Sequence, residues 1–78
     1  MTNTALLEKK IQESGKKKGY LATKVGMTLA TFRNYCTGKY EFRTSHINIL
    51  CDELYITDLN ERELIFFAEN DAFNASSN

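Results

Sequence analysis

Seventy-eight residues, 42% of them hydrophobic, are enough for one small folded domain and too few for two. The net charge of zero hides a split: residues 1–43 carry nine basic against three acidic groups, a balance of +6, and residues 44–78 carry one against seven, a balance of −6. The absence of proline and the four glycines suit an all-helical chain, and no apolar run is long enough to span a membrane. Lys9 and Lys10 interrupt the only early apolar stretch, so no signal peptide is expected and the expected location is cytoplasmic. A core this small yields little net stability, which gives weight to a partner or a second copy.

The spacing of Leu7 and Ile11, with Leu6 beside them, predicts a first helix over Thr4–Ser14, stopped by Gly15. Lys16, Lys17 and Lys18 then open a second helix over Lys18–Val25. Three cations at a helix N-terminus oppose the macrodipole. A phosphate docking there would account for them, and a solvated connector is the alternative. Gly26 is expected to take the left-handed conformation that ends this helix. Thr28 is a good N-cap for a third helix over residues 29–37. Leu21, Val25, Met27, Phe32 and Tyr35 supply apolar contacts at helical spacing, and Ala22 is small where the third helix would pass. Together these residues read as a helix-turn-helix, whose second member commonly enters the DNA major groove.

Gly38 ends the third helix. The loop that follows is expected to place Phe42 in the core. Thr44 or Ser45 would cap a fourth helix running to about residue 54, with Ile47, Leu50, Cys51 and Leu54 on its apolar face. Asn60 with Glu63 resembles a capping box that starts a fifth helix. That helix carries Leu64, Ile65, Phe66 and Phe67, and one stripe cannot bury all four. Leu64 and Phe67, three apart, are expected to face the core, leaving Ile65 or Phe66 exposed as an interface, with Phe67 beside them. The alternative is a cover made by Phe73 and the tail. The expected fold is a compact all-α bundle of about five helices: one domain over residues 1–73 and a frayed polar tail over residues 74–78.

With Phe32 and Tyr35 inward, Ala30, Arg33, Asn34 and Thr37 point outward on the third helix. Arg can pair with guanine and Asn with adenine, and Ala30 can approach a thymine methyl. Thr28 and Thr31 lie at the N-terminal end, suited to a phosphate or a base edge. Leu29 sits on the flank, half buried or against a thymine methyl. The expected base contacts are therefore Thr28, Leu29, Ala30, Arg33, Asn34 and Thr37. The expected phosphate contacts are Lys16, Lys17, Lys18, Thr31 and Lys39. The basic half beside this motif suits a polyanion, although charges also keep a surface soluble.

The pattern Leu21-Ala22, Gly26-Met27-Thr28, Phe32, Tyr35 and Gly38, continued by Ile47, Leu50-Cys51 and Leu54, resembles the Cro/repressor-type (XRE-like) helix-turn-helix family over about residues 5–57. The resemblance implies that the third helix reads the major groove through Thr28, Leu29, Ala30, Arg33 and Asn34. It also implies that Lys18 and Lys39 touch phosphate. The short length and the ending LNERELIFFAEN are similar to small Cro-like regulators of temperate phages. Three positions depart from the family. Leu29 stands where Gln is common, Lys17 where Ser or Thr caps the second helix, and Tyr55 where Gly follows the fourth. Tyr in a left-handed conformation costs about 1 kcal/mol, so the fourth helix is expected to end differently.

Catalytic chemistry has little support. His46 is the only histidine and reads as a surface or capping residue. Cys36 and Cys51 lack zinc-site spacing and read as buried intracellular thiols. Cys36 with His46 has no evident third group for a nucleophile site. No glycine-rich phosphate loop is present, so no enzyme activity, cofactor or metal is expected. Two functions remain. One is a dimeric, sequence-specific DNA-binding repressor. The other is a protein-interaction module, an antirepressor or antitoxin, that holds a repressor or toxin through the acidic C-terminal half with Phe66, Phe67 and Phe73.

Overall fold

A computed structural model describes residues 1–68 of the chain. Five helices follow one another: α1 (Thr4–Ser14), α2 (Lys18–Val25), α3 (Leu29–Cys36), α4 (Thr44–Glu53) and α5 (Leu59–Phe66), with no strand among the described residues. The expected domain end at residue 73, Phe73 and the tail of residues 74–78 lie outside the described residues.

Local signals set most helix ends. Asn3 caps α1 by accepting the Leu6 N–H at 3.0 Å. Gly26 has φ 79°, and beyond it the Met27 N–H reaches back to the Ala22 carbonyl at 2.8 Å, closing α2. Two starts differ from expectation. The N-cap of α4 is Arg43, not Thr44 or Ser45, and His46 Nδ1 accepts the Arg43 N–H at 3.3 Å. Asp58 rather than Asn60 caps α5, its carboxylate accepting the Asn60 N–H at 3.2 Å.

The end of α4 also corrects the sequence reading. Tyr55 does take the left-handed position, with φ 60°. The Ile56 N–H donates to the Cys51 carbonyl at 2.8 Å, as it would after a glycine, and Ile56 enters the core. The Lys16 ammonium lies 4.8 Å from the centre of the Tyr55 ring. These contacts offset the strain of a left-handed tyrosine, and α4 ends as it would with glycine there.

The core draws on every helix. Leu7 and Ile11 come from α1, Leu21, Ala22 and Val25 from α2, Phe32 and Cys36 from α3, and Ile47, Leu50 and Cys51 from α4. Phe42, Leu54 and Ile56 enter from the connections. The expected rotation of α5 is reversed. Ile65 and Phe66 are 0% and 2% exposed, whereas Leu64 and Phe67 are 62% and 42% exposed. Ile65 and Phe66 therefore cannot serve as interface residues, and Phe67 alone of the three expected ones is available. The reason is a charged residue on the inward stripe. Arg62 lies half-buried at i−3 from Ile65 and donates to Asn48 Oδ1 at 3.0 Å, so the inner face is Arg62, Ile65 and Phe66. The Asn3 N–H to Ile65 carbonyl bond, 2.6 Å, and the edge-on packing of Phe66 against Phe42, 5.8 Å between centroids, hold that rotation.

Candidate nucleic-acid interface

The turn formed by Gly26, Met27 and Thr28 sets α3 against α2, with Ala22 only 1% exposed between them. Thr28 Oγ1 caps α3 by accepting the Thr31 N–H at 3.1 Å, and its own hydroxyl donates to Thr31 Oγ1 at 3.0 Å. Both hydroxyls are thus tied together at the α3 N-terminus, where backbone N–H groups favour an anion.

Phe32 and Cys36, one turn apart, form the buried stripe of α3, while the expected inward residue Tyr35 is half-buried at its edge. Ala30, Arg33 and Thr37 are exposed, and Asn34 keeps part of its surface. The Thr37 hydroxyl already donates to the Asn34 carbonyl at 3.1 Å. Leu29 retains 37% of its surface, on the flank where the helical geometry put it.

Tyr35 fastens the next loop to α3. Its ring lies 5.1 Å from Phe42, 5.3 Å from Tyr40 and, edge-on, 5.7 Å from His46. Lys39 and Arg43 are carried on that loop, both exposed. Arg43 was absent from the expected contact set. Its only sequence signal was a cation between Gly38 and the fourth helix, and its place as the α4 N-cap is marked by the bond to His46 three residues on.

Folding redistributes the charges. The −6 half does not stand apart from the +6 half. Lys10 pairs with Glu61 at 3.1 Å, Lys16 with Glu53 at 2.8 Å, and Lys24 lies 4.0 Å from Glu53. Lys18 pairs with Glu8 at 2.8 Å. Among the described residues, Lys9, Lys17, Arg33, Lys39 and Arg43 form no ion pair. No acidic residue occurs between Glu13 and Glu41, the stretch that holds α2 and α3.

Lys16, one of the expected phosphate contacts, is engaged within the chain. Its ammonium donates to both the backbone carbonyl and the carboxylate of Glu53, each at 2.8 Å, and so closes the C-terminal end of α4. The Tyr20 hydroxyl donates to the same carboxylate at 3.0 Å. The Lys16 hydrogen bond holds the Glu53 carboxyl below its ordinary value of 4.5 and lifts Lys16 above its ordinary 10.5.

Elsewhere, Cys36 and Cys51 are free, buried thiols, and burial pushes Cys36 up to about 11. No group of three His, Cys, Asp or Glu side chains could hold a metal among the described residues. No helix among the described residues is long and apolar enough to cross a membrane. On the outer face of α5, Asn60, Glu63, Leu64, Phe67 and Ala68 line a shallow depression of about 530 Å³.

No family model matches the chain, and neither a curated protein nor a solved structure matches it.

Proposed function

We propose that this chain is a cytoplasmic, sequence-specific DNA-binding transcriptional regulator, a small Cro-like repressor whose α3 enters the major groove as the second member of a helix-turn-helix. The observation that carries the reading is the outer face of α3. It presents Ala30, Arg33 and Asn34 within an acid-free stretch, and Arg33 is exposed with no ion-pair partner among the described residues. A guanidinium free to make two parallel hydrogen bonds suits guanine, and an amide suits adenine. Lys17, Lys39 and Arg43, exposed and without an ion pair among the described residues, are the candidate phosphate contacts, with Lys18 joining them once it leaves Glu8.

The test is selection of a preferred duplex from a random pool, followed by titration of wild type and Arg33→Ala. Arg33→Ala is expected to lose about 1–3 kcal/mol on the selected duplex and much less on random duplex. Equal losses on both would remove Arg33 from base reading. Repressors of this kind act on two half-sites about 34 Å apart, so a twofold pair of chains is part of the proposal. Leu64 and Phe67 on the outer stripe of α5 support such pairing. The same stripe supports the second reading, an antirepressor or antitoxin that holds a different protein there.

A further inference from the structure

Three lysines precede or open α2, and the structure treats each differently. Lys16 is committed: two hydrogen bonds to Glu53, with the Tyr20 and Tyr55 rings 5.7 and 4.8 Å from its ammonium. Lys17 forms no ion pair among the described residues. Lys18 lies between these cases. Among the described residues its one partner is Glu8 Oε1 on α1, at 2.8 Å, and the two side chains keep 30% and 41% of their surface.

The position of this pair matters as much as its strength. Glu8 lies on α1 and Lys18 opens α2, so the pair ties the start of α2 to α1. Lys18 is also the first residue of α2, where a cation is disfavoured by the macrodipole and an incoming anion is welcome. A phosphate reaching this corner meets a lysine already neutralised by a carboxylate of its own chain. Carboxylate and phosphate are alike as acceptors for an ammonium, and only one can hold it at full strength.

We infer that Glu8 is an intramolecular competitor for the phosphate contact of Lys18, an autoinhibitory carboxylate that the DNA backbone displaces. The inference rests on the DNA-binding reading. On binding, Lys18 exchanges Glu8 for a phosphate oxygen, and Glu8 returns to solvent. Because every sequence has the same backbone, the competition weakens all duplexes by one factor and leaves base discrimination untouched.

The experiment is fluorescence-anisotropy titration of a labelled random duplex and a selected duplex across a salt series. The proteins are wild type, Glu8→Gln, Lys18→Gln, the double variant and Glu13→Gln, with far-UV circular dichroism confirming the fold of each. Glu8→Gln is expected to tighten both duplexes about two- to fivefold, the range in which an exposed ion pair acts, with the salt slope unchanged. Lys18→Gln is expected to flatten the slope by about one unit. In the Lys18→Gln background the Glu8 substitution adds nothing, and Glu13→Gln, which removes the same charge elsewhere on α1, gives a smaller gain than Glu8→Gln. A gain that persists without Lys18, or that Glu13→Gln matches, overturns the competition, as does an unchanged affinity for Glu8→Gln. Failure of wild type to bind any duplex overturns the DNA reading itself, a result distinct from these.

Discussion

The rotation of α5 has a sharp consequence for stability. Ile65→Ala removes three carbons from a site with no exposed surface. At about 0.8 kcal/mol for each buried carbon, the transfer part is about 2.4 kcal/mol. An incompletely collapsed cavity adds about 1–2 kcal/mol, for a total near 3–4 kcal/mol. A domain of this size holds about 4–12 kcal/mol in all, so the loss is a large fraction and corresponds to a fall in Tm of roughly 10–30 °C. Leu64→Ala removes the same number of carbons from a side chain that is 62% exposed, and its cost is expected within about 0.5 kcal/mol. Urea denaturation followed by far-UV circular dichroism measures both. The pair of substitutions controls for composition, since both place alanine in the same helix. If Leu64→Ala costs as much as Ile65→Ala, α5 is turned the other way and the assignment of its outer stripe fails.

Two further outcomes follow from the same contacts. The Glu53 carboxyl sits below its ordinary 4.5 and Lys16 above its ordinary 10.5, so their mutual stabilisation is complete between those values. It is lost as pH falls through the lowered Glu53 value, and lost again as pH rises through the raised Lys16 value. The Tm gap between wild type and Glu53→Gln is therefore widest in that interval and closes in acid; a constant gap down to about pH 2 would refute the linkage. Leu64→Lys is expected to keep the helical signal and to reduce self-association in sedimentation equilibrium. A wild type that sediments as a monomer at every concentration would leave the α5 stripe to a different protein.

What the sequence determined by itself was most of what neighbours within a turn or so of chain govern, the caps of α4 and α5 excepted. Gly15 and Gly26 mark helix ends because few other residues accept φ near 75° cheaply, and Thr28 marks a start because its hydroxyl reaches a backbone N–H three residues on. The apolar pairs Leu7 with Ile11 and Leu50 with Ile47 reveal the buried stripes of α1 and α4 for the same reason, since side chains three or four apart share a face. The outward set Ala30, Arg33 and Thr37 was legible from Phe32 on that geometry.

The tertiary structure decided what depends on partners far along the chain. Lys16 finds Glu53 thirty-seven residues away, and Lys18 folds back to Glu8, so neither is the free cation that its place in a lysine run implied. Arg62 turns inward because Asn48, on another helix, offers it an acceptor, and that rotation buries Ile65 and Phe66 and exposes Leu64. Tyr55 holds a left-handed backbone because Ile56 is buried beyond it and Lys16 packs on its ring. A polar side chain on an inward stripe carries no hydrophobic signal, and an ion pair across thirty-seven residues carries no periodic one. Local pattern therefore locates the helices, while the choice of which charges remain free to meet a ligand is made only when the helices pack.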